Sequence, residues 1–136
     1  MIDFDIKVRV NEISALSLAY IGDAIYELYV RSYIMRDVNM PVAKLHRAST
    51  RFVSATSQAK IFHLIKDELS EEELSVYKRG RNAHPHTSAK NASVIDYRVA
   101  TGLEALLGYL YVTKNTTRLE EIISLCIEAV EVETSK

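Results

Sequence analysis

Apolar residues along this chain recur at three- and four-residue intervals, the period of an α-helix, in blocks separated by short polar punctuation. In the first block Leu16, Tyr20, Asp23, Glu27, Val30 and Ile34 share one stripe, and Leu18, Ile21, Ile25 and Leu28 form a second. Asn11 or Ser14 suits the N-cap, and the pattern runs to about Arg36. A helix apolar on two sides is central in its fold, or it serves both a core and a subunit interface. Pro41 suits the first turn of a second helix carrying Leu45, Ala48, Phe52 and Val53. The pattern resumes with Ala59, Ile61, Phe62 and Ile65, after Ser54-Ala55-Thr56-Ser57 has kinked or divided it. Ser70-Glu71-Glu72-Glu73 is a capping box that opens a short helix to about Arg79. Residues 80–91 lack apolar periodicity and read as an exposed, mobile, basic loop. Ser93 then caps a helix from Val94 to about Thr113. Asn115-Thr116-Thr117 starts the last helix, whose apolar face is Leu119, Ile122, Ile123, Cys126, Ile127 and Val130. The expectation is an all-α chain, one domain over residues 1–136, built as a bundle of about six to seven helices.

Composition supports that reading. At 136 residues and 48% hydrophobic content the chain can bury one sizeable core. Four glycines and two prolines are few for a many-turned sheet protein. The single Cys126 excludes an internal disulfide or a Cys-rich zinc site and reads as a small buried apolar residue. A reducing cytoplasm is the natural compartment. The segment Met1–Val10 has no signal-peptide core, and no apolar run is long enough to span a bilayer, so no membrane is expected.

The net charge of −1 hides segregation. Residues 41–66 hold Lys44, Arg47, Arg51, Lys60 and Lys66 and no acid, and residues 67–77 hold five acids and no base. Residues 78–98 return to positive with Lys78, Arg79, Arg81, Lys90 and Arg98 against Asp96 alone. A solvated surface accounts for such runs about as well as a polyanionic partner does. Taken as a binding face, the candidates are Arg47, Arg51, Lys78, Arg79, Arg81, Asn82, Lys90, Asn91 and Arg98. Aromatics are not interleaved among them, which disfavours capture of single strands by stacking and favours duplex RNA, recognised by shape and phosphates.

Two carboxylates stand out against apolar helical runs: Asp23 in Tyr20-Ile21-Gly22-Asp23-Ala24-Ile25, and Glu104 in Leu103-Glu104-Ala105-Leu106-Leu107. An isolated charge there needs a partner, a proton or a metal. Each alone is more often structural, paired with Arg or with one of the eight tyrosines. Together, beside basic segments, they form a minimum kit for metal-assisted phosphodiester hydrolysis. The four histidines have no metal-site spacing, and no phosphate-binding glycine loop or nucleophile elbow is present. Three functions remain open on these grounds: a metal-dependent nuclease, a catalytically silent RNA-binding scaffold, and an all-α metal-dependent nucleotide hydrolase. The last usually has denser acidic motifs, whereas Glu68 and Glu71 to Glu73 look like a solvated face and a cap.

At these residues the chain resembles the ribonuclease III catalytic domain. Leu16-Ser17-Leu18-Ala19-Tyr20-Ile21-Gly22-Asp23-Ala24 takes the place of that family's Glu-Arg-Leu-Glu-Phe-Leu-Gly-Asp-Ala helix. Thr101-Gly102-Leu103-Glu104-Ala105-Leu106-Leu107-Gly108 takes the place of Asp-x-x-Glu-Ala-Leu-Ile-Gly. The family's other acids are replaced by Leu16, Ala19 and Thr101, and one more falls near Val42, which leaves Asp23 and Glu104. Arg79-Gly80-Arg81-Asn82-Ala83 and the Ala19–Ala24 core resemble in particular the short bacterial branch of the family that has no separate RNA-binding domain. The resemblance implies a homodimeric endonuclease that cleaves double-stranded RNA with Mg²⁺ held by Asp23 and Glu104. It further implies precursor 23S ribosomal RNA as substrate, 5′-phosphate and 3′-hydroxyl ends, and a ribosomal protein as a candidate helper.

Overall fold

The structure is a computed structural model that describes residues 4–83 and 92–135. A short 3₁₀ turn, Val10–Glu12, leads into α1 (Ala15–Met35). Then follow α2 (Val42–Val53), α3 (Ala55–Ile65), a second 3₁₀ turn (Lys66–Glu68), α4 (Glu71–Arg81), α5 (Ala92–Val112) and α6 (Thr116–Ser135). The described residues contain no strand.

Helix ends follow local side-chain chemistry. Ser14 starts α1 by accepting a hydrogen bond from the Ser17 amide at 3.0 Å, while Asn11 lies in the preceding turn. Ser54 both closes α2 and opens α3, where its hydroxyl accepts from the Ser57 amide at 3.1 Å. The predicted kink is therefore a division. The Ser70–Glu73 capping box forms in both directions. Glu73 also turns inward, contrary to the expected solvated face. It is buried and accepts from Arg118 of α6 at 2.8 and 2.9 Å, a charge-assisted pair that fixes the start of α4 against α6.

Helix α5 is the axis of the bundle, packed by α1, α3, α4 and α6. Its Leu103, Leu106, Leu107 and Leu110 are buried, with Tyr26, Val30, Phe52, Ile61 and Ile122 closing around them. Each such side chain contributes about 1.5–3 kcal/mol through burial. Phe62 of α3 stacks on Tyr77 of α4 at 3.7 Å, and the Tyr26 hydroxyl donates to the Phe52 carbonyl at 3.0 Å, tying α1 to the end of α2. Cys126 is fully buried and its thiol is pushed up to about 12 by desolvation, as its apolar reading requires. Among the described residues no helix is long and apolar enough to cross a membrane.

All four glycines sit at contacts between helices rather than in turns. A Cβ on Gly22 would overlap the Glu104 carbonyl oxygen and lie 2.8 Å from the Gly108 amide nitrogen. A Cβ on Gly108 would overlap the Leu18 carbonyl oxygen. At the other contact, Gly80 of α4 meets Ala105 and Gly102 of α5, and Gly102 lies under the Tyr77 ring. This corrects the expected loop boundary: α4 continues through Gly80 to Arg81, because Gly80 is needed for close approach and does not end the helix. The rest of that expected loop, from His84 to Asn91, lies outside the described residues.

Alanine at an ordinary helix position gains up to about 1 kcal/mol over glycine. At Gly108 the added methyl instead meets backbone, and overpacking of this kind costs roughly 1–3 kcal/mol or more. Gly108→Ala is expected to lower the thermal midpoint by roughly 5–10 °C, read by calorimetry. An unchanged or raised midpoint would show that the crossing is not tight.

Candidate active site

The α1–α5 crossing sets the positions of the two isolated acids. Asp23 directly follows Gly22, and Glu104 stands one helical turn before Gly108. The backbones touch there, so the two side chains leave from a common point. Glu104 is half-buried and close enough to Asp23 to feel its charge. Asp23 itself is exposed on the outer flank of α1, which corrects the expectation of a carboxylate enclosed by apolar neighbours. Its apolar neighbours face outward with it: Tyr20 is 83% exposed, Leu16 42% and Leu28 48%.

Burial pushes the Glu104 carboxyl far above the ordinary carboxylate range, to about 8, and the charge of Asp23 adds to the shift. A hydrogen bond from Gln58 opposes it, and the charge of Glu27 adds a smaller upward push. Glu27 lies one turn beyond Asp23 on α1, where Arg31 approaches it at 3.7 Å. Neighbouring carboxyls, one of which keeps its proton, can hold a divalent cation in the proton's place, since metal and proton compete for the same oxygens. The donor set is oxygen-only, as Mg²⁺-type ions require. Among the described residues no group of three or more His, Cys, Asp or Glu side chains is placed to hold a metal, so the fit is a two-carboxylate one.

The replaced family acids are accounted for locally. Ala19 is buried in the core beside Leu18 and Ala105. Thr101 is buried and its hydroxyl donates to the Tyr97 carbonyl at 2.9 Å. Leu16 and Val42 are exposed and add no donor atom. The tyrosine–carboxylate pairing weighed for Glu104 occurs elsewhere, between Tyr29 and Glu120 at 2.6 Å and between Tyr109 and Glu72.

Gln58, which the sequence reading does not single out, touches the candidate pair. It is 2% exposed on α3, and its amide donates to Glu104 Oε2 at 3.2 Å. The signal is present, because Gln58, Ile61, Phe62 and Ile65 fall at i, i+3, i+4 and i+7, one polar residue on a buried face. Glu27 also carries a signal, four residues from Asp23 on the same helix.

The basic candidates divide. Arg47, Lys78, Arg79 and Asn82 are exposed. Arg79 donates to the Ile13 carbonyl at 3.4 Å, and Arg81 donates to Asn82 Oδ1 at 3.2 Å with its guanidinium 5.7 Å from the Tyr77 ring. Arg51 is engaged by Glu131 at 2.9 Å, so part of its charge is already matched within the chain. Arg98 is half-buried on α5. Lys90 and Asn91 lie outside the described residues.

The chain is similar to known proteins over most of its length. Residues 16–115 match the Ribonuclease III domain family. The Mini-ribonuclease 3 of Enterococcus faecalis is 50% identical over 122 residues, covering 88% of this chain and 92% of that protein. The Mini-ribonuclease 3 of Streptococcus pneumoniae is 45% identical over 126 residues, covering 91% of this chain and 98% of that protein. A Fusobacterium nucleatum protein solved by X-ray crystallography is 31% identical with a TM-score of 0.75, over 88% of this chain and 95% of its own. This chain belongs to the ribonuclease III family, as an endoribonuclease of double-stranded RNA.

Proposed function

We propose that Asp23 and Glu104 are the catalytic pair, that they hold Mg²⁺, and that the enzyme works as a homodimer on precursor 23S ribosomal RNA in the cytoplasm. The observation that carries this reading is the apposition of the two carboxyls at a glycine-locked helix crossing. Residues 1–136 would form one catalytic domain. The cation, when bound, supplies Lewis-acid activation of water and neutralises charge on the phosphate. The chain supplies the rest. Asp23 presents its oxygens from the exposed flank of α1, while Glu104 presents its own from a half-buried position that limits competing water. Exposed Arg47, Lys78, Arg79 and Asn82, with Arg51, Arg81, Lys90, Asn91 and Arg98, would contact phosphates and so give affinity without reading sequence. Cleavage would leave 5′-phosphate and 3′-hydroxyl ends, and a ribosomal protein is a candidate presenter of the RNA.

The homodimer is supported by the outward apolar residues of α1. Leu16, Tyr20 and Leu28 flank Asp23, and a partner helix laid on them would bury apolar area beside each site. Sedimentation is expected to give a dimer at micromolar concentration, and Tyr20→Glu to give a folded monomer. A wild-type monomer with full activity would overturn the assembly.

Asp23→Asn and Glu104→Gln are expected to reduce cleavage of duplex RNA to background with the fold retained. Stability gives a second readout. The unfolded chain releases the Glu104 proton at about 4.5, the folded chain at about 8. Between those values the folded state holds the extra proton, so metal-free stability falls as pH rises through that window. Glu104→Gln should flatten the fall, and added Mg²⁺ should oppose it, since it replaces the proton. Near-normal cleavage by both variants would refute the assignment.

The phosphate contacts are tested by salt. Arg79→Ala with Arg81→Ala should raise the Michaelis constant for duplex RNA and leave the cleavage position unchanged. The salt slope should fall by roughly one unit for each phosphate no longer engaged. An unchanged slope would move the binding face to Lys44 and Arg47 on α2.

A further inference from the structure

Gln58 presents a polar side chain where packing alone would favour an apolar one. Its neighbours on α3, Ala59, Ile61, Phe62 and Ile65, are all buried, and Gln58 is 2% exposed. Both amide hydrogens are directed at acceptors. Nε2 donates to the Val53 carbonyl at 3.0 Å and to Glu104 Oε2 at 3.2 Å. The reverse orientation would set Oε1 against the Val53 carbonyl, acceptor against acceptor, so the orientation follows from that partner. Among the described residues no group donates to the other half of the amide, the buried Oε1. A buried acceptor without a donor lowers stability, a loss that only the two bonds donated by Nε2 offset. One of those bonds closes the end of α2, and the other is directed at Glu104.

We infer that Gln58 is a positioning residue that holds the Glu104 carboxyl in its cation-binding orientation. This rests on Asp23 and Glu104 being the metal pair. The last torsion of a glutamate side chain is broad and weakly restrained, so an isolated Glu104 would swivel. An amide that engages one carboxyl oxygen removes that freedom and leaves the other oxygen for the cation. The chemistry of the amide suits the task better than its alternatives. Lysine or arginine would neutralise the carboxylate and compete with a divalent ion. Aspartate or glutamate would add a third negative charge and donate nothing when ionised. The bond to Val53, the last residue of α2, anchors the amide in turn, so the joint between α2 and α3 is part of the support.

The test uses Mn²⁺ as the probe, with binding read by the paramagnetic resonance of free ion, on the wild type, Glu104→Gln and Gln58→Met. Outer partners of metal ligands typically set affinity by about 10–100-fold. Gln58→Met is expected to weaken Mn²⁺ binding by roughly that factor with the fold retained. It should need correspondingly more Mg²⁺ for half-maximal cleavage, while kcat recovers at saturating Mg²⁺ and the Michaelis constant for duplex RNA is unchanged. Wild-type Mn²⁺ affinity in Gln58→Met, alongside loss in Glu104→Gln, would overturn the role of Gln58 and leave the metal pair standing. Wild-type affinity in Glu104→Gln would overturn both. The unmutated protein provides an independent readout: with nitrogen-labelled glutamine, the Gln58 side-chain amide resonance should shift as Mg²⁺ is added. A resonance that stays fixed while Mg²⁺ binds would also overturn the proposal.

Discussion

The candidate site depends on how closely α1 can approach α5. Helix axes ordinarily stand about 8–10 Å apart because side chains separate them. At Gly22 and Gly108 nothing separates them, and backbone meets backbone. Two carboxyls that project from such a point must face each other, whatever their preferences in solution. The cost is visible at Glu104, where burial, with the charge of Asp23 added, lets the carboxyl keep its proton well into the neutral range. Packing energy spread along α5, from Leu103 to Leu110, holds the crossing together against that cost. The site is thus a local strain maintained by a distributed core, the usual relation between function and stability in enzymes.

The same helix organises the second contact. Gly80 and Gly102 bring α4 against α5 as Gly22 and Gly108 bring α1, so α5 is gripped on two sides by glycine contacts. The Glu73–Arg118 pair then fixes the far end of α4 to α6. The orientation of α4 matters because Lys78, Arg79 and Arg81 lie in its last turn. Positive charge at the C-terminal end of a helix is favourable in itself, and there it also faces solvent.

Helix identities are legible in the sequence because their signals are local. Ser14, Pro41, Ser54 and the Ser70–Glu73 box act within a turn of where they sit, and periodicity needs no partner to be read. The acids of the site are legible for a related reason: a charge among leucines is conspicuous anywhere. What escapes depends on residues far apart in sequence. Glycine reads as punctuation, since its backbone freedom is a property of the residue, whereas close approach is a property of a pair such as Gly22 and Gly108. Glu73 looks like a cap alone because Arg118 is 45 positions away. Asp23 looks enclosed because Tyr20 and Leu28 are apolar, and an apolar residue does not announce whether it faces a core or the outside of the monomer. Gln58 is neutral and its mark is fainter, a single polar position on a buried face, until the seating of its amide on Glu104 gives it meaning.

The placement of the glycines inverts the usual map of mutational tolerance. In most small proteins glycine guards the turns, and alanine is welcome in mid-helix. Here the turns are built without it: the α5–α6 connection is closed by Lys114 in the left-handed region at φ 62°, a position any sequence drift toward Asn or Gly would ease. The mid-helix glycines allow no such drift. A lineage descended from this chain can therefore remodel its connections, lengthen them or change their charge, while the crossing that brings Asp23 and Glu104 together stays frozen.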